Sequence, residues 1–253
     1  METTAERPMA RAAAGLRVEW LGRVPYGDAL EIQRRRVEAR RRGACGDSLL
    51  LLEHPPVVTL GRRARPENLL VPREVLEARG VEVHEVSRGG DVTWHGPGQL
   101  VGYLVLDLQA RGAPDVHAHL RTIEALLIDA LCGLGLSAGR RAGMTGVFVE
   151  ASRPPRKIAS IGVGLRGWTT FHGFALNVCN RPEGFAEIVP CGLRGVTMTS
   201  LREELAEPGE EGALWAQARE RVAESARRVL AGSGSVDLAR NGSADLARTG
   251  AIG

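Results

Sequence analysis

The chain has 253 residues, of which 43% are hydrophobic, and its 33 basic and 30 acidic side chains give a formal net charge of +3. This length fits one large domain or two small ones with an ample core. Interspersed charges of both signs argue against a dedicated nucleic-acid surface. No apolar run approaches the roughly 20 residues that a membrane span needs. We therefore expect a soluble protein that binds neither nucleic acid nor membrane.

The N-terminal region and the cysteines indicate a cytoplasmic protein. The first 16 residues contain no apolar segment of the kind found in secretory signals. The four cysteines form no CxxC pair and match no zinc-binding spacing. We expect them to be reduced thiols in a cytoplasm, with no metal bound. They are Cys45, Cys132, Cys179 and Cys191.

Hydrophobic periodicity and turn residues divide the chain into helices and strands. Strands are predicted at 16–21, 48–60 (with a kink), 81–86, 100–106, 147–149, 157–165 and 171–178. Helices are predicted at about 28–42 (capped by Asp28), 73–79, 115–134 (capped by Asp115), 200–205 and 214–230. The last two strands are expected to form a hairpin around a turn at 167–170.

These elements predict a single α+β domain over residues 17–231. Strands and helices follow one another without regular βαβ alternation, which favours one mixed, largely antiparallel sheet flanked by helices. Residues 1–16 are expected to be disordered. The tail, residues 232–253, repeats a Gly/Ser and Asp-Leu-Ala-Arg theme of low complexity, and we expect it to be disordered as well.

The most informative segment is Arg88–Leu100, which reads RGGDVTWHGPGQL. Its four glycines and one proline are incompatible with a regular helix. We predict a glycine-lined loop between the strands at 81–86 and 100–106, where the backbone approaches a ligand closely. The alternative is an ordinary hairpin connection, but turn formation does not require Arg, Trp, His and Gln together.

Two residues suggest nucleophilic chemistry. Cys191 lies between Pro190 and Gly192, which suits an exposed nucleophile, and Lys157 is the single lysine among the 33 basic residues. A nearby ammonium lowers the pKa of a thiol and increases its thiolate fraction. We therefore expect a Cys–Lys pair able to perform acyl transfer. The alternative for Lys157 is a chance surface lysine, because spacing alone does not bring the two residues together.

Histidines and arginines leave further alternatives open. His95 suits either a residue that orients the glycine loop or a spare base, and His172 is interpreted as structural. The arginines of the 28–42 helix favour a solvated face over a docking patch for an acidic carrier protein. His117 and His119 lie two apart, so they point to different faces and cannot jointly hold a metal.

Four motifs in a fixed order carry a family resemblance. Arg88–Gln99, Lys157–Gly162, Phe171–Asn177 and Pro190–Gly192 together resemble the octanoyltransferases of lipoate biosynthesis, also called lipoyl(octanoyl) transferases. The resemblance covers about Trp20 to Leu205, and the order of four motifs makes it specific. It implies the fold of the biotin and lipoate protein ligases, so that residues 17–231 would be the catalytic domain.

The resemblance also implies a reaction and its residues. An octanoyl group would pass from octanoyl-acyl carrier protein to a lysine of lipoyl domains, in 2-oxoacid dehydrogenase complexes and the glycine cleavage H protein, without a cofactor. Cys191 would carry the acyl thioester, and Lys157 would tune it. The substrate-contacting residues would be Arg88, Gly89, Gly90, Asp91, Val92, Thr93, Trp94, His95, Ser160, Ile161, Gly162, Gly173, Phe174 and Ala175.

Two other functions compete with this one. An ATP-dependent ligase on the same fold would form an acyl-adenylate and need no cysteine nucleophile, but its lysine-rich site is absent from a chain with one lysine. A non-catalytic acyl- or carrier-binding module would need neither Cys191 nor Lys157.

Overall fold

A computed structural model describes residues 15–150, 152–193 and 195–231. Its strands are β1 (Arg17–Arg23), β2 (Ser48–Glu53), β3 (Val57–Leu60), β4 (Glu82–Glu85), β5 (Val92–His95), β6 (Gln99–Val105), β7 (Ala138–Arg141), β8 (Met144–Val149), β9 (Arg156–Arg166), β10 (Thr169–Asn177) and β11 (Thr197–Met198). Its α-helices are α1 (Tyr26–Arg41), α2 (Arg73–Ala78), α3 (Val116–Cys132), α4 (Leu201–Glu204) and α5 (Glu211–Ala231). Short 3₁₀ turns lie at Pro66–Asn68, Pro182–Phe185 and Pro190–Gly192.

The strands form two sheets. In the larger sheet the order is β1-β2-β6-β10-β9-β8-β7, with β11 paired to β9, and in the smaller sheet it is β4-β3-β5. Only the β1–β2 and β9–β11 pairs of the larger sheet are parallel. The prediction of an α+β domain with a mixed, largely antiparallel sheet flanked by helices is therefore confirmed.

The larger sheet is covered on both faces, and the leucines of β2 show why. Leu49 and Leu51 belong to the core cluster that α3 and α5 complete, whereas Leu50 and Leu52 belong to the cluster beneath α1. Because successive side chains of a strand point to opposite faces, an unbroken apolar run fits a strand buried on both sides. All four leucines are buried accordingly.

Helix α3 is fixed at its start and along its length. The carboxylate of Asp115 accepts hydrogen bonds from the backbone N–H groups of His117 and Ala118, so the predicted cap is confirmed. Along the helix, Ser225 Oγ of α5 donates to the carbonyl of Leu126 at 2.8 Å.

Across the residues that the structure describes, no helix combines the length and the apolar character needed to cross a membrane.

The predicted strand 48–60 is wrong as a single element. The segment splits into β2 and β3, which belong to different sheets, and His54-Pro55-Pro56 lies between them. Proline cannot donate to a strand ladder, so the pair interrupts pairing and lets the chain leave the larger sheet. His54 fixes the segment between β2 and β3, because its Nδ1 donates to the carbonyl of Val24 and its Nε2 accepts from Tyr103 Oη, both at 2.7 Å.

The prediction of a continuous loop over Arg88–Leu100 is also wrong. Residues Val92–His95 form β5, which pairs with β3, while β6 pairs with β2 and β10. The segment therefore links the two sheets instead of closing a hairpin. Val92, Thr93 and Trp94 have high strand propensity, but the surrounding glycines and proline favour a loop prediction.

Smaller differences concern element ends and the termini. Helix α1 begins at Tyr26 after Pro25, without a side-chain cap, so Asp28 lies in the first turn and is not the predicted N-cap. Strand β10 starts at Thr169, inside the predicted turn, and β7 was not predicted. Of the segments expected to be disordered, residues 1–14 and 232–253 lie outside the described residues, whereas Leu16 packs against the main core.

The cap at Asp115 gives a stability prediction. Replacing Asp115 by Ala leaves two N–H groups at the start of α3 without their acceptor, which costs about 1 kcal/mol of unfolding free energy. Urea unfolding followed by circular dichroism measures the change. Asp28→Ala is the matched control, because Asp28 lies in the first turn of α1 but does not cap it. An equal loss in both variants would contradict the assignment of the cap.

Candidate active site

Cys191 occupies an unusual backbone conformation. It lies in the turn Pro190–Gly192 with φ +58° and ψ +16°, in the left-handed region that non-glycine residues rarely adopt. Such a conformation costs roughly 1–3 kcal/mol and persists only where the surroundings impose it. Gly192 continues the left-handed turn with φ +65°, and a Cβ at this position would lie 2.7 Å from Asp91 Oδ2. The tight turn directs the Cys191 thiol towards β9.

The structure brings Cys191 and Lys157 together. Lys157 Nζ donates to Cys191 Sγ at 3.2 Å, although 34 positions separate the two residues in the chain. Lys157 belongs to β9 and is 1% exposed, so it is not the surface lysine of the alternative interpretation. Ser160 Oγ lies 3.8 Å from the same sulfur. Strand β11 pairs beside Lys157, through Met198, and fixes this end of β9.

Opposing effects set the pKa of Cys191. Burial alone would raise the pKa of this thiol. The ammonium of Lys157 opposes burial through its charge and its hydrogen bond, and Ser160 and the Arg88 guanidinium act in the same direction. The net result is a pKa below the ordinary thiol value. The thiolate is the nucleophilic form of cysteine, and a lower pKa increases its fraction.

The glycine at position 146 leaves space for the ammonium of Lys157. Gly146 in β8 has φ +129°, and a Cβ there would lie 2.7 Å from Lys157 Cε and 3.2 Å from Lys157 Nζ. The N–H of Gly146 donates to Glu124 Oε1 of α3 at 3.2 Å. Glu124 is fully buried, and its other oxygen accepts from Arg121 and Arg140 at 2.6 and 2.9 Å. Glu124 thus holds the strand against which Lys157 packs, while the two arginines balance its charge.

The segment Arg88–Leu100, which we call the glycine motif, lines the same cavity as Lys157 through its first half. Arg88 is buried, and its Nη2 donates to the carbonyl and the Oγ1 of Thr59, both at 2.8 Å. Burial lowers the pKa of Arg88 from its ordinary value, and nearby groups including Tyr26 and Cys191 oppose that effect. Arg88 therefore acts as an internal brace between β3 and the motif.

One cavity of about 820 Å³ contains both Cys191 and Lys157. Most of the substrate-contacting residues expected from the resemblance line it: Arg88, Gly89, Gly90, Asp91, Thr93, His95, Ser160, Ile161, Gly162, Gly173, Phe174 and Ala175. Val92 and Trp94 do not, because side chains alternate along β5 and these two pack into the core of the smaller sheet. Trp94 contacts Phe185 edge-on at 5.3 Å between ring centroids.

The second half of the glycine motif is structural. The carbonyl of Gly98 accepts from the backbone N–H groups of Val178, Cys179 and Asn180, and a Cβ on Gly98 would lie 2.4 Å from the nitrogen of Asn180. Glu53 Oε1 accepts from the N–H of Gly98. The glycines at this end permit close contact with the chain itself, whereas those at 89 and 90 face the cavity.

His95 is held as a neutral, oriented ring. Gln99 Nε2 donates to Asn177 Oδ1 at 2.9 Å, so Gln99 Oε1 is an acceptor and His95 Nδ1 carries the proton of their 2.7 Å bond. Burial lowers the pKa of His95 to about 3. This geometry favours the orienting role over that of a base that becomes charged. Burial likewise lowers the pKa of His172 to about 3.

Several residues that shape the site escaped sequence reasoning. Asn68 and Asp91 join across the cavity rim, Thr59 braces Arg88, and Glu124 supports Gly146. These pairs are separated by at least 22 positions, and no local pattern marks them. Gly146 did carry a signal, because an isolated glycine in a strand often indicates the close approach of another group.

Residues 25–227 match the family described as "Lipoyl protein ligase A/B catalytic domain". The chain belongs to this family. An octanoyltransferase of Acidobacterium capsulatum is 49% identical over 193 residues, which cover 73% of this chain and 78% of the relative. An octanoyltransferase of Rubrobacter xylanophilus is 47% identical over 216 residues, which cover 85% and 93%. The chain is therefore an acyltransferase of the octanoyltransferase family, as the four motifs predicted.

Solved structures agree on the fold. A lipoate-protein ligase A bound with ATP superimposes with a TM-score of 0.67 at 15% identity, over 86% of each chain. A bipartite lipoate protein ligase from Thermoplasma acidophilum gives a TM-score of 0.63 at 17% identity, over 86% of this chain and 84% of the other. At such identities the likeness shows the fold alone, and it confirms the predicted ligase-like fold.

The space at Gly146 yields a prediction about the thiol. In Gly146→Ala the new Cβ would lie 2.6 Å from the carbonyl oxygen of Ala159 and 2.7 Å from Lys157 Cε. The shift that relieves both contacts moves Lys157 away from Cys191, so the pKa of Cys191 rises towards or above the ordinary thiol value of about 8.5. The pH dependence of alkylation at Cys191, resolved by peptide mass spectrometry, measures this pKa. Gly80→Ala is the control, because Gly80 also has a positive φ but faces open space. An unchanged alkylation profile in Gly146→Ala would show that Lys157 does not depend on this space.

Proposed function

We propose that this protein transfers an octanoyl group from octanoyl-acyl carrier protein to a lysine of lipoyl domains, with Cys191 carrying the acyl group as a thioester. This would be the first step of endogenous protein lipoylation in the cytoplasm. The acceptors would be the lipoyl domains of 2-oxoacid dehydrogenase complexes and the glycine cleavage H protein. The names of the relatives support octanoyl transfer, and the contact between Lys157 and Cys191 carries the mechanism.

In the first half-reaction, the Cys191 thiolate attacks the carbonyl carbon of the donor thioester. A C–S bond forms to Cys191 Sγ, and the C–S bond to the carrier's arm breaks. The departing thiolate takes a proton from the ammonium of Lys157, which is in position because it already donates to Sγ. The products are the octanoyl thioester of Cys191, a free carrier thiol and a neutral Lys157 amine.

In the second half-reaction, the amine of the acceptor lysine attacks the thioester carbonyl on Cys191. The neutral Lys157 amine takes the proton that the attacking nitrogen loses as the amide forms. Cys191 leaves as a thiolate, and the ion pair of the resting site is restored. A lysine suits both steps because its amine can give up and regain a proton, whereas a guanidinium stays charged.

The cavity supports an apolar acyl chain. Burial of each methylene contributes about 0.8 kcal/mol, so an eight-carbon chain gains several kcal/mol from an apolar lining. Glycines in the wall let the chain lie against the backbone. The apolar residues that line the cavity are Val101, Val116, Leu120, Met144, Ile161, Val163, Leu165, Phe174, Ala175 and Leu193.

The covalent intermediate gives the most direct test. When the protein is mixed with octanoyl-acyl carrier protein and no ATP, we expect its intact mass to rise by one octanoyl group, located on Cys191 by peptide mapping. The adduct should be absent from Cys191→Ala and should disappear when a lipoyl domain is added. Cys132→Ala, which removes an exposed thiol, should keep the adduct. A requirement for ATP would instead indicate the ligase reaction, and unlabelled protein that binds the carrier would indicate a non-catalytic module.

Replacement of Lys157 separates charge from proton transfer. Lys157→Arg keeps a positive charge beside Cys191 but removes the group that exchanges a proton, so we expect transfer to fall by roughly 100-fold or more. Single-turnover octanoylation of a lipoyl domain measures the loss. Alkylation of Cys191 in the same variant reports whether the pKa of the thiol stays low. Near wild-type turnover would show that charge alone suffices.

A further inference from the structure

Three arginines are concentrated at the rim of the cavity that contains Cys191. Arg62, Arg63 and Arg65 are exposed, and all three line this cavity. They belong to a segment that we call the arginine loop, residues 61–68. Glu67 also lies in the loop and lines the cavity, so the side chains leave a local excess of positive charge.

These guanidinium groups differ in their surroundings from the paired arginines on the exposed face of α1. Among the described residues, no carboxylate lies within 4 Å of the guanidinium groups of Arg62, Arg63 and Arg65. On α1, by contrast, Arg34 and Arg35 both pair with Glu31. The solvated-face interpretation therefore fits α1, whereas the arginine loop presents charge that the protein itself does not neutralise.

The arginine loop is fixed in place. A Cβ on Gly61 would lie 2.4 Å from the carbonyl oxygen of Gly90, so the two segments are in close contact. Three backbone hydrogen bonds join the loop to the glycine motif: Gly61 N–H to Asp91 O, Arg62 N–H to Arg88 O, and Arg63 N–H to Gly90 O. A surface that is already ordered loses little conformational entropy when a partner binds.

Asp91 connects this loop to the nucleophile. One carboxylate oxygen accepts from the backbone N–H of Arg65 at 3.2 Å, and the other accepts from Asn68 Nδ2 at 2.7 Å. The second oxygen also lies against Gly192, the neighbour of Cys191, where only a glycine fits. The Asp91 carboxylate therefore contacts both the arginine loop and the turn that carries the thiol.

The chemistry of the substrate indicates what this charge binds. An octanoyl group is uncharged, so the anion must be on the part of the donor that stays outside the cavity. The donor carries its acyl group on an arm, and the thioester can reach Cys191 only if the carrier is held beside the entrance. Like charges clustered on one loop repel one another, and an acidic partner relieves that repulsion while raising the rate of association.

We propose that the arginine loop is the docking surface for the acidic face of the acyl-carrier protein that delivers the octanoyl group. The inference rests on the proposed function and adds the place where the donor binds. The loop positions the carrier and takes no part in the bond changes at Cys191.

The test compares two triple variants of equal charge. Arg62→Gln/Arg63→Gln/Arg65→Gln removes three charges from the loop, and Arg34→Gln/Arg35→Gln/Arg41→Gln removes three from α1, where each arginine pairs with a glutamate. For each protein, kcat/KM for acylation of Cys191 is measured with octanoyl-carrier protein, octanoyl-phosphopantetheine and the uncharged thioester octanoyl-pantetheine. Transfer from acylated Cys191 to a lipoyl domain is measured separately, and the carrier reaction is repeated over a range of salt concentrations.

We expect the loop variant to lose roughly tenfold or more in kcat/KM with octanoyl-carrier protein, relative to its change with octanoyl-pantetheine. The salt dependence of the carrier reaction should weaken in this variant, and the α1 variant should match the wild type.

Four results would overturn the inference. An equal loss with octanoyl-pantetheine would indicate a damaged site, and an equal loss with octanoyl-phosphopantetheine would indicate recognition of the phosphate. An equal loss in the α1 variant would indicate a general charge effect, and a loss confined to transfer to the lipoyl domain would indicate docking of the acceptor. If wild-type Cys191 is not acylated by any donor, the proposed function itself fails, and the inference fails with it.

Discussion

The contact between the Lys157 ammonium and the Cys191 sulfur is the interaction on which the site depends. Two groups that are costly to bury singly stabilise each other when they are buried together. Burial raises the pKa of the thiol, but the charge and the hydrogen bond of Lys157, together with Ser160 and Arg88, bring it below its ordinary value. The surrounding structure keeps the pair together: Gly146 leaves room for the lysine, β11 fixes its strand, and a left-handed turn presents the cysteine.

The two sheets give the cavity walls of different character. The larger sheet supplies Lys157 and the apolar side chains of β9 and β10, and both of its faces are covered by helices. The smaller sheet supplies polar wall residues through Thr93 and His95 of β5, and its Thr59 holds Arg88 of the glycine motif. Because successive side chains of β5 point to opposite faces of the sheet, Thr93 faces the cavity while Trp94 packs into the core of the smaller sheet. A single strand thus serves the site and a second core at once.

Local sequence patterns predicted those features that depend on local physics. The periodicity of α3 and α5, the cap at Asp115 and the hairpin of β9 and β10 follow from periodicity and turn chemistry, which act over a few residues. The pairing of Cys191 with Lys157 followed from the types of residue, since a thiol at an exposed turn and a solitary lysine suggested complementary chemistry. The four ordered motifs identified the family and its fold.

Sequence reasoning failed where long-range contacts decide the structure. The path of β3 into a second sheet is set by its pairing with β4 and β5, and the two prolines before it mark only an interruption. The glycine density around β5 concealed a strand whose partner lies about 35 residues earlier in the chain. The pair of Asn68 and Asp91 similarly has no signature in either neighbourhood.

The solitary lysine has a consequence for an enzyme of the proposed type. A protein thioester reacts with lysine amines, and that reactivity is directed at a partner's side chain. The rest of the chain has no second lysine to intercept the acyl group, and Lys157 itself lies in the cavity beside Cys191 and not on the outer surface. With guanidinium groups at every other Lys or Arg position, the surface carries positive charge without side-chain amines that would compete as acyl acceptors. The protein is therefore protected from modifying its own exterior.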